Sequence, residues 1–284
     1  SLIKEIILVM ESSTYDFKWD EIMDITIKFT IGNSSINGGS IPMEYNMLLC
    51  KLLRKHIKRK NNIVEIHCAF FELLKNNFLN CSKFKNLDGF LFSCISCQEM
   101  SVAVITETKN LNFKLKIKYR KLKNKLDNID NLMFEVPIFG INLKQNLRQI
   151  DNLYNIEFSL INKFLIIKMI TDDHDLLNIQ SMNLYLNHMY PINFNIYQDE
   201  IHEMSLFDNK YIIISLSPSF KNINNLCSNL CKGNIDQYGI NMSRIDKIQF
   251  DISDVPLQTN IDVCSVNVNI ARVMSGMIGA TYSN

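Results

Sequence analysis

Two cysteines lie three residues apart in the stretch "FLFSCISCQE", at a spacing used by redox and zinc sites. A structural zinc ion needs four ligands, and the other close pair, Cys227 and Cys231, lies far along the chain. The first pair, Cys94 and Cys97, falls in a segment that we predict to be a β-strand, where residues three apart point to opposite faces. The cysteines are therefore not predicted to bind a metal.

A second cluster, "TDDHD", places His174 beside the carboxylates of Asp172, Asp173 and Asp175. Imidazole and carboxylate groups bind divalent metals, and together they can act as a general acid and base. Clusters of this composition also form solvated loops between strands, and we favour that interpretation here. A metal-dependent enzyme that uses these residues stays open as an alternative hypothesis.

The rest of the sequence contains no recognised catalytic motif. It lacks the Gly-x-Ser-x-Gly nucleophile turn and the His-Glu-x-x-His zinc motif, and a phosphate loop is disfavoured by only 9 glycines in 284 residues. The 30 basic residues balance 29 acidic ones, whereas nucleic-acid-binding proteins usually carry a clear basic excess. We predict a protein that is not an enzyme, needs no cofactor or metal and binds no nucleic acid directly.

Most of the chain alternates apolar and polar residues, which is the period of a half-buried β-strand. In "NFKLKIKYRKLK" this places Phe113, Leu115, Ile117 and Tyr119 on a face predicted to be buried, with basic residues on the other. "DKIQFDIS", "VCSVNVNIA" and "SMNLYLNHM" repeat the pattern, and "NKFLIIKMIT" and "KYIIISLSPS" are apolar runs typical of fully covered strands. Polar segments between them are predicted to be loops. The fold class is all-β, a sandwich or jelly roll.

One segment, "YNMLLCKLLRKHIKRKNN", has helical spacing. Met47, Leu48, Leu52 and Leu53 share one side, and the basic residues fall mostly on the other. A basic amphipathic helix of this kind can bind a membrane surface or an acidic partner. A short helix between strands with solvated lysines is more common, and we predict that arrangement.

The eight cysteines are scattered through apolar stretches, which is typical of reduced, partly buried thiols in a cytosolic protein. No segment reaches the roughly 18 apolar residues of a transmembrane helix. The first residues, "SLIKEIILVMESS", resemble a strand and have no signal-peptide pattern. We expect the chain to be a fragment or to be trimmed at its beginning.

Two motifs near the C-terminus are the most specific features of the sequence. The first contains Gly239, Asn241, Ser243, Arg244 and Asp246. The second, in "NIARVMSGMIGATYSN", contains the residues Asn269, Arg272, Ser275, Gly276, Gly279, Tyr282 and Asn284. The small residues of this tail allow the backbone to bend and pack closely, and its methionines can fill irregular gaps.

These motifs, in this order, resemble the end of the major capsid proteins of nucleocytoplasmic large DNA viruses. That family has a stretch ending Asn-x-Ser-Arg-Ile-Asp and a tail similar to Ser-Gly-Met-Gly-Gly-Leu-Ala-Tyr-Ser-Asn. Fainter similarity extends through "KYIIISLSP" and "GGSIPMEYNMLLCKLL", so the resemblance covers most of the chain. It implies a double jelly roll with a short helix in the first barrel. Residues 1–100 would be the C-terminal part of an incomplete first jelly roll, and residues 101–284 would be the second.

The resemblance also implies a function. The chain would be a structural capsid subunit that forms homotrimers, and these pseudo-hexagonal capsomers would contact neighbouring capsomers or minor capsid proteins. It would reside in the virion capsid and assemble in the host cytoplasm. The tail would pack against the second barrel or a neighbour and lock the closing strand.

Two departures from the family pattern leave alternatives. Ile278 stands where the family has a glycine, and the segment "SFKNINNLCSNLCKGNIDQY" is a longer, cysteine-bearing loop. A minor capsid or scaffold paralogue is one alternative. A jelly-roll module that binds a glycan or receptor through the loops near residues 172–175 and 222–238 is another.

Overall fold

The computed structural model describes residues 1–13, 19–32, 34–36, 38–81, 84, 87–107, 111–122, 133–170, 179–189, 191–196, 211–218, 222–236, 238–253, 255 and 259–282. The predicted cluster around His174 lies outside these residues, so its role stays a prediction. Among the described residues, no helix is long and apolar enough to cross a bilayer.

Strands dominate the described chain, which confirms the predicted all-β class. The strands are β1 Leu2–Ser12, β2 Thr26–Ile31, β3 Ser40–Pro42, β4 Lys58–Lys60, β5 Ile63–His67, β6 Phe90–Leu91, β7 Met100–Ile105, β8 Leu111–Arg120, β9 Phe134–Leu147, β10 Gln149–Ile150, β11 Leu153–Ile156, β12 Ile161–Ile170, β13 Ser181–Leu186, β14 Ile192–Asn195, β15 Tyr211–Ser215, β16 Ile240–Asn241, β17 Ile248–Ile252, β18 Asn260–Met274 and β19 Met277–Ala280. The α-helices are α1 Trp19–Met23, α2 Met43–Leu52, α3 Ala69–Asn80 and α4 Ile223–Lys232, and 3-10 turns span Phe92–Ile95 and Met242–Arg244.

The chain divides into two compact units. Unit 1 contains Ser1–Gly140, Leu226–Ile235 and Asn269–Ser283, and unit 2 contains Ile141–Asn225 and Asp236–Val268. This division differs from the predicted boundary near residue 100, because β8 pairs with β1 from Leu111 to Arg120 and so belongs to unit 1. The assignment of each unit to one jelly roll stays a prediction.

Unit 1 is organised around β1 and α3. In the larger sheet, β1 pairs with β5, β6 and β8, and β4 pairs with β5; a smaller sheet has the order β3-β2-β7. The ring of Phe71 on α3 meets Phe29 of the smaller sheet at 6.3 Å and Phe90 of the larger sheet at 6.1 Å between centroids. Helix α3 thus fills the apolar space between these two sheets.

Helix α2 ends earlier than the sequence predicted. It stops at Leu52, and the amide of Lys55 donates to the carbonyl of Cys50 across Arg54, whose φ of 55° is left-handed. The following basic residues form the edge strand β4. Nine of the ten α2 residues are buried and Lys51 is exposed, so the predicted short helix between strands is present, but it does not continue through the basic residues after Leu52.

Strand β5 ends at His67, because the Asn46 side chain accepts from the Ala69 amide at 2.9 Å and α3 begins there. Two other segments differ from their predicted structure. Helix α4 forms where a loop was predicted, and it buries Leu226 and Leu230. The segment "FLFSCISCQE" is a two-residue strand followed by a 3-10 turn, not one long strand.

Unit 2 is a sandwich of two sheets. One has the order β10-β11-β17-β13-β14, and β15, β12 and β18 pair in the other. Phe250 stacks on Tyr154 with ring centroids 5.2 Å apart, and these rings share one apolar cluster with Leu165, Ile167 and Val263 of the opposite sheet. The predicted inward faces of β13 and β17 are buried here, as alternation requires.

Strand β8 forms as predicted, but its apolar face is not covered. Leu115 and Ile117 are each 43% exposed and Tyr119 is 63% exposed. Their cross-strand neighbours on β1, by contrast, are buried. Among the described residues β8 pairs with β1 alone, so the apolar row continues past the core to the edge of the sheet. The alternation identified the strand but not its position at that edge.

Candidate functional site

The first C-terminal motif begins at a position that only glycine fits. Gly239 has φ 138°, and a Cβ there would lie 2.6 Å from the carbonyl oxygen of Asn162. The close approach lets Ile240–Asn241 pair with Ile161–Asn162 as an extra strand of the second sheet of unit 2. Gly239 therefore has a steric role in joining this segment to β12.

Asn241 and Ser243 fix the turn that follows. The Asn241 side chain accepts a hydrogen bond from the Ser243 amide at 3.2 Å, and the Ser243 hydroxyl accepts from the Leu160 amide at 2.7 Å. The Met242 amide donates to the Leu160 carbonyl at 2.9 Å. Arg244 and Asp246 are exposed and form no hydrogen bond or ion pair with other described residues. The motif is thus a structural clasp on one side with two solvent-facing charges on the other.

A buried lysine secures the chain just before this motif. The Lys163 side chain is 1% exposed, and its ammonium lies 2.6 Å from Asp236 Oδ1 and also donates to the carbonyls of Asp236 and Tyr238. The other Asp236 oxygen accepts from the Ser217 hydroxyl at 2.7 Å. A fully bonded ammonium satisfies the conditions under which a buried charge is tolerated.

The second motif, in unit 1, is a β-hairpin. Strands β18 and β19 pair from Ala271–Ala280 to Met274–Met277, and the two turn residues Ser275 and Gly276 have φ of 51° and 74°. Two consecutive positive φ values are the requirement of a type I′ turn, whose twist matches the flanking strands. Gly276 supplies the second of them without strain.

Residues near the cysteine pair anchor the hairpin. The amide of Gln98 forms two bonds with the Ile278 backbone, since Nε2 donates to its carbonyl at 3.1 Å and Oε1 accepts from its N–H at 2.6 Å. The Cys97 amide donates to the Gly276 carbonyl at 3.0 Å. The described contacts of the tail therefore lie within unit 1. We had expected the tail to pack against the second barrel or against a neighbouring subunit.

Asn269 and Arg272 make the remaining bonds of the tail. The Asn269 amide donates to the Tyr282 carbonyl at 2.8 Å and accepts from its N–H at 3.3 Å, which holds Tyr282 beside β18. Arg272 binds one carboxylate oxygen of Glu135 through Nε at 2.8 Å and Nη2 at 2.5 Å, although both side chains are about half exposed. Asn284 lies outside the described residues, so its role stays a prediction.

The two glycines of the tail are not equivalent. A Cβ on Gly276 would lie 2.4 Å from Ser96 Oγ, whereas a Cβ on Gly279 would have no atom within 4 Å. Ile278, at the position where the resemblance led us to expect a glycine, is 2% exposed and packs within the hairpin. The outer side carries the exposed side chains of Met274 and Met277 along an open groove of about 370 Å³.

Alanine at Gly276 should lower the free energy of unfolding of the hairpin region by about 1–2 kcal/mol, because the left-handed backbone and the Ser96 contact both oppose a Cβ. Gly279→Ala is the matched control in the same hairpin and should change it by less than about 0.5 kcal/mol. Thermal denaturation of both variants measures the difference. Equal effects would contradict the structural role of the turn.

The chain offers no metal site among its described residues. No group of three or more His, Cys, Asp or Glu side chains converges in that part of the chain. Cys94 is buried and Cys97 is exposed, and neither forms a disulfide bond. Burial raises the pKa of Cys94 to about 12, which keeps that thiol protonated and unreactive.

Sequence reasoning found the motif residues but not the partners that hold them. The described structure brings Asn269, Arg272, Ser275, Gly276 and Gly279 into one hairpin and leaves the Gly239 motif in unit 2. Gln98 and Lys163 were missed. No local pattern marks either, because each acts on residues distant in sequence.

No protein-family model matches the chain. The major capsid protein of Pyramimonas orientalis virus is 48% identical to it over 44 residues. That stretch is 16% of this chain and only 11% of the viral protein, so the match spans a small part of the relative's length.

Solved structures are similar over the whole chain. PBCV-1 VP54, fitted into a cryo-EM reconstruction of the virophage Sputnik, gives a TM-score of 0.62 at 13% identity over 100% of this chain and 90% of that one. A quasi-atomic model of the PBCV-1 virus capsid gives 0.61 at 12% identity with the same coverage. Sulfolobus Turreted Icosahedral Virus gives 0.51 at 9% identity over 96% of this chain and 83% of that one. At such identities the likeness concerns the fold, and it confirms the predicted double jelly roll.

Proposed function

We propose that this protein is a structural subunit of the capsid of a large icosahedral DNA virus. The observation that carries the proposal is the likeness of fold to PBCV-1 VP54 along the whole chain. The short match to a major capsid protein supports it from the sequence. The role requires no catalytic step and no cofactor.

The properties of the two motifs suit such a role. Their described residues form turns, backbone hydrogen bonds and a clamp on Tyr282. A shell protein must keep its strands in register under load from its neighbours. Hydrogen-bonded clasps of this kind stabilise strand ends, which otherwise fray.

We propose further that the subunit forms homotrimers, which would be pseudo-hexagonal capsomers in contact with neighbouring capsomers or minor capsid proteins. The virion capsid would be its location and the host cytoplasm its site of assembly. Sedimentation equilibrium of the purified chain tests the trimer. A mass three times that of the chain is expected. A monomer that binds only to preformed capsomers would favour the minor-capsid alternative.

The exposed face of β8 is the surface that we expect to contact another copy. Leu115, Ile117 and Tyr119 extend the buried apolar row of β1 to the edge of the sheet. On the opposite face of the strand, Lys116 and Lys118 are engaged by Glu65 and Glu5 of the same chain. The apolar face is therefore the one left without a partner among the described residues, and contiguous exposed apolar surface marks protein interfaces.

Lysine at Ile117 should weaken association of the copies at least about 100-fold, because the interface would have to bury an unpaired charge. The chain should stay folded, since Ile117 is 43% exposed. Lys116→Gln, one residue away on the opposite face, is the control and should leave association within about threefold. Sedimentation measures both. Unchanged association of I117K would exclude this face.

A further inference from the structure

A pocket in unit 1 concentrates positive charge outside the C-terminal motifs. It has a volume of about 190 Å³ and lies where the residues after α2 meet β4, β5, β1 and β8. Its basic side chains are those of Arg54, Lys55, His56, Lys58, His67 and Lys118. At roughly 30 Å³ per water it has room for about six waters, enough for a four-oxygen anion with water around it.

The carboxylates of the pocket do not neutralise this charge. Glu5 and Glu65 are the two acidic lining residues, against four permanently charged bases. Glu5 binds Lys118 at 2.5 Å, and Glu65 binds Lys116, which lies outside the pocket lining, at 3.0 Å. An excess of two positive charges remains with both imidazoles neutral.

The two positive charges without a counter-charge are those of Arg54 and Lys58. Neither forms an ion pair with another described residue, although Lys58 lies opposite Glu65 in the β4–β5 register. Lys55, between them, is already bound to Glu72 at 3.1 Å. Two cations that line one pocket without counter-charges attract an anion.

The backbone at Arg54 supports a role beyond solvation. Its φ of 55° is the left-handed conformation that ends a helix, where glycine is the least strained residue. Arginine at such a position costs stability, and residues held in strained backbone cluster at binding sites.

One lining residue of the pocket, His67, has a buried ring nitrogen without a hydrogen-bond partner. His67 Nδ1 and Glu72 Oε1 have no hydrogen-bond partner, and they face each other at 3.8 Å. A single hydrogen bond between them would satisfy both atoms. The charged groups around His67 are Glu72 of α3, Glu5 of β1, Lys55 after α2 and Lys118 of β8.

We propose that this pocket binds a tetrahedral oxyanion, a sulfate or phosphate group, through Arg54 and Lys58 with His67 as an additional donor. The anion supplies the counter-charge that the pocket lacks. The proposal is independent of the capsid role, because every residue in it belongs to unit 1 of a single chain.

Isothermal titration of the full chain with inorganic sulfate at low ionic strength tests the proposal. Saturable binding with one ion per chain is expected. Arg54→Gln and Lys58→Gln should each weaken it at least about tenfold, since each removes a charge-assisted contact. Lys60→Gln, an exposed lysine of the same strand outside the pocket, should change it less than about twofold. Melting curves without sulfate check that the variants fold.

The source of the anion is resolved by comparing probes. Inorganic phosphate tests the free ion, and methyl phosphate tests an ester group carried by a larger ligand; binding of either supports the site. His67→Gln should weaken sulfate binding more than His56→Gln does. No saturable binding, or equal weakening by K60Q and R54Q, would show an adventitious ion only and would overturn the proposal.

Discussion

Alanine at Gly233 is expected to lower the free energy of unfolding of unit 1 by about 3 kcal/mol or more. Gly233 follows α4 with φ 63°, and a Cβ there would lie 2.1 Å from the carbonyl oxygen of Asn76 and 2.6 Å from the amide nitrogen of Asn77. Both are backbone atoms of α3, which cannot move aside without breaking helix hydrogen bonds.

The same contact organises a network that the substitution would break. Asn77 and Asn80 donate to the Gly233 carbonyl at 3.2 Å, and Asn76 donates to the Leu230 carbonyl at 3.2 Å. Asn77 also accepts from the Phe139 amide at 3.0 Å. Displacement of Gly233 would leave the buried Asn77 amide without this partner, at a cost of about 1–3 kcal/mol.

Hydrogen exchange and thermal melting measure this effect. Faster exchange should be confined at first to α3 and α4, because these helices meet at Gly233. Gly39→Ala is the control, since a Cβ on Gly39 has no atom within 4 Å. A G233A protein as stable as G39A would show that this contact does not hold α4 in place.

The substitution Glu72→Gln is expected to lower the free energy of unfolding of unit 1 by about 3 kcal/mol. Glu72 is fully buried and accepts from Lys75 at 2.6 Å and Lys55 at 3.1 Å. Lys75 is itself nearly buried, so E72Q would leave an ammonium without its counter-charge. Glu11→Gln, which breaks the exposed pair with Lys114, is the control and should cost less than about 1 kcal/mol.

The pH dependence gives this prediction a second readout. Burial raises the pKa of Glu72, but His67 and the ammonium groups of Lys75 and Lys55 outweigh burial and lower it to about 2. Because the folded pKa lies below the unfolded value of about 4.3, the stabilisation is complete above that value and is lost as the pH falls toward 2. Burial also lowers the pKa of Lys75, so the net gain of the pair is smaller than the Glu72 shift alone implies.

Stability measured between pH 5 and 2 should therefore fall more steeply in the wild type than in E72Q. Equal slopes would mean that Glu72 keeps an ordinary pKa in the folded chain.

Alternation of side chains predicted the strands well, because a sheet residue's face depends on local period. It placed β8, β13 and β17, and it gave the buried faces of the last two. It did not give the exposure of Leu115 and Ile117, since burial depends on what lies beyond the edge of the sheet. The tail motif indicated the fold from the sequence alone. The structure explains why a glycine stands at position 276, where the turn requires a positive φ.

The helices were harder to predict because distant residues fix their ends. Asn46 begins α3 by accepting from the Ala69 amide, and the left-handed Arg54 ends the α2 region. The α4 sequence contains many polar residues, which led us to predict a loop. The helix forms because it buries Leu226 and Leu230. The basic pocket could not be predicted from the sequence either, because Arg54, His67 and Lys118 come from three separate segments.

Cryo-electron microscopy of the purified protein tests the capsid proposal most directly. The proposal predicts particles with threefold symmetry in which six β-sandwiches, two from each copy, give a pseudo-hexagonal outline. Particles that stay single copies at every concentration, or that assemble with another symmetry, would contradict it.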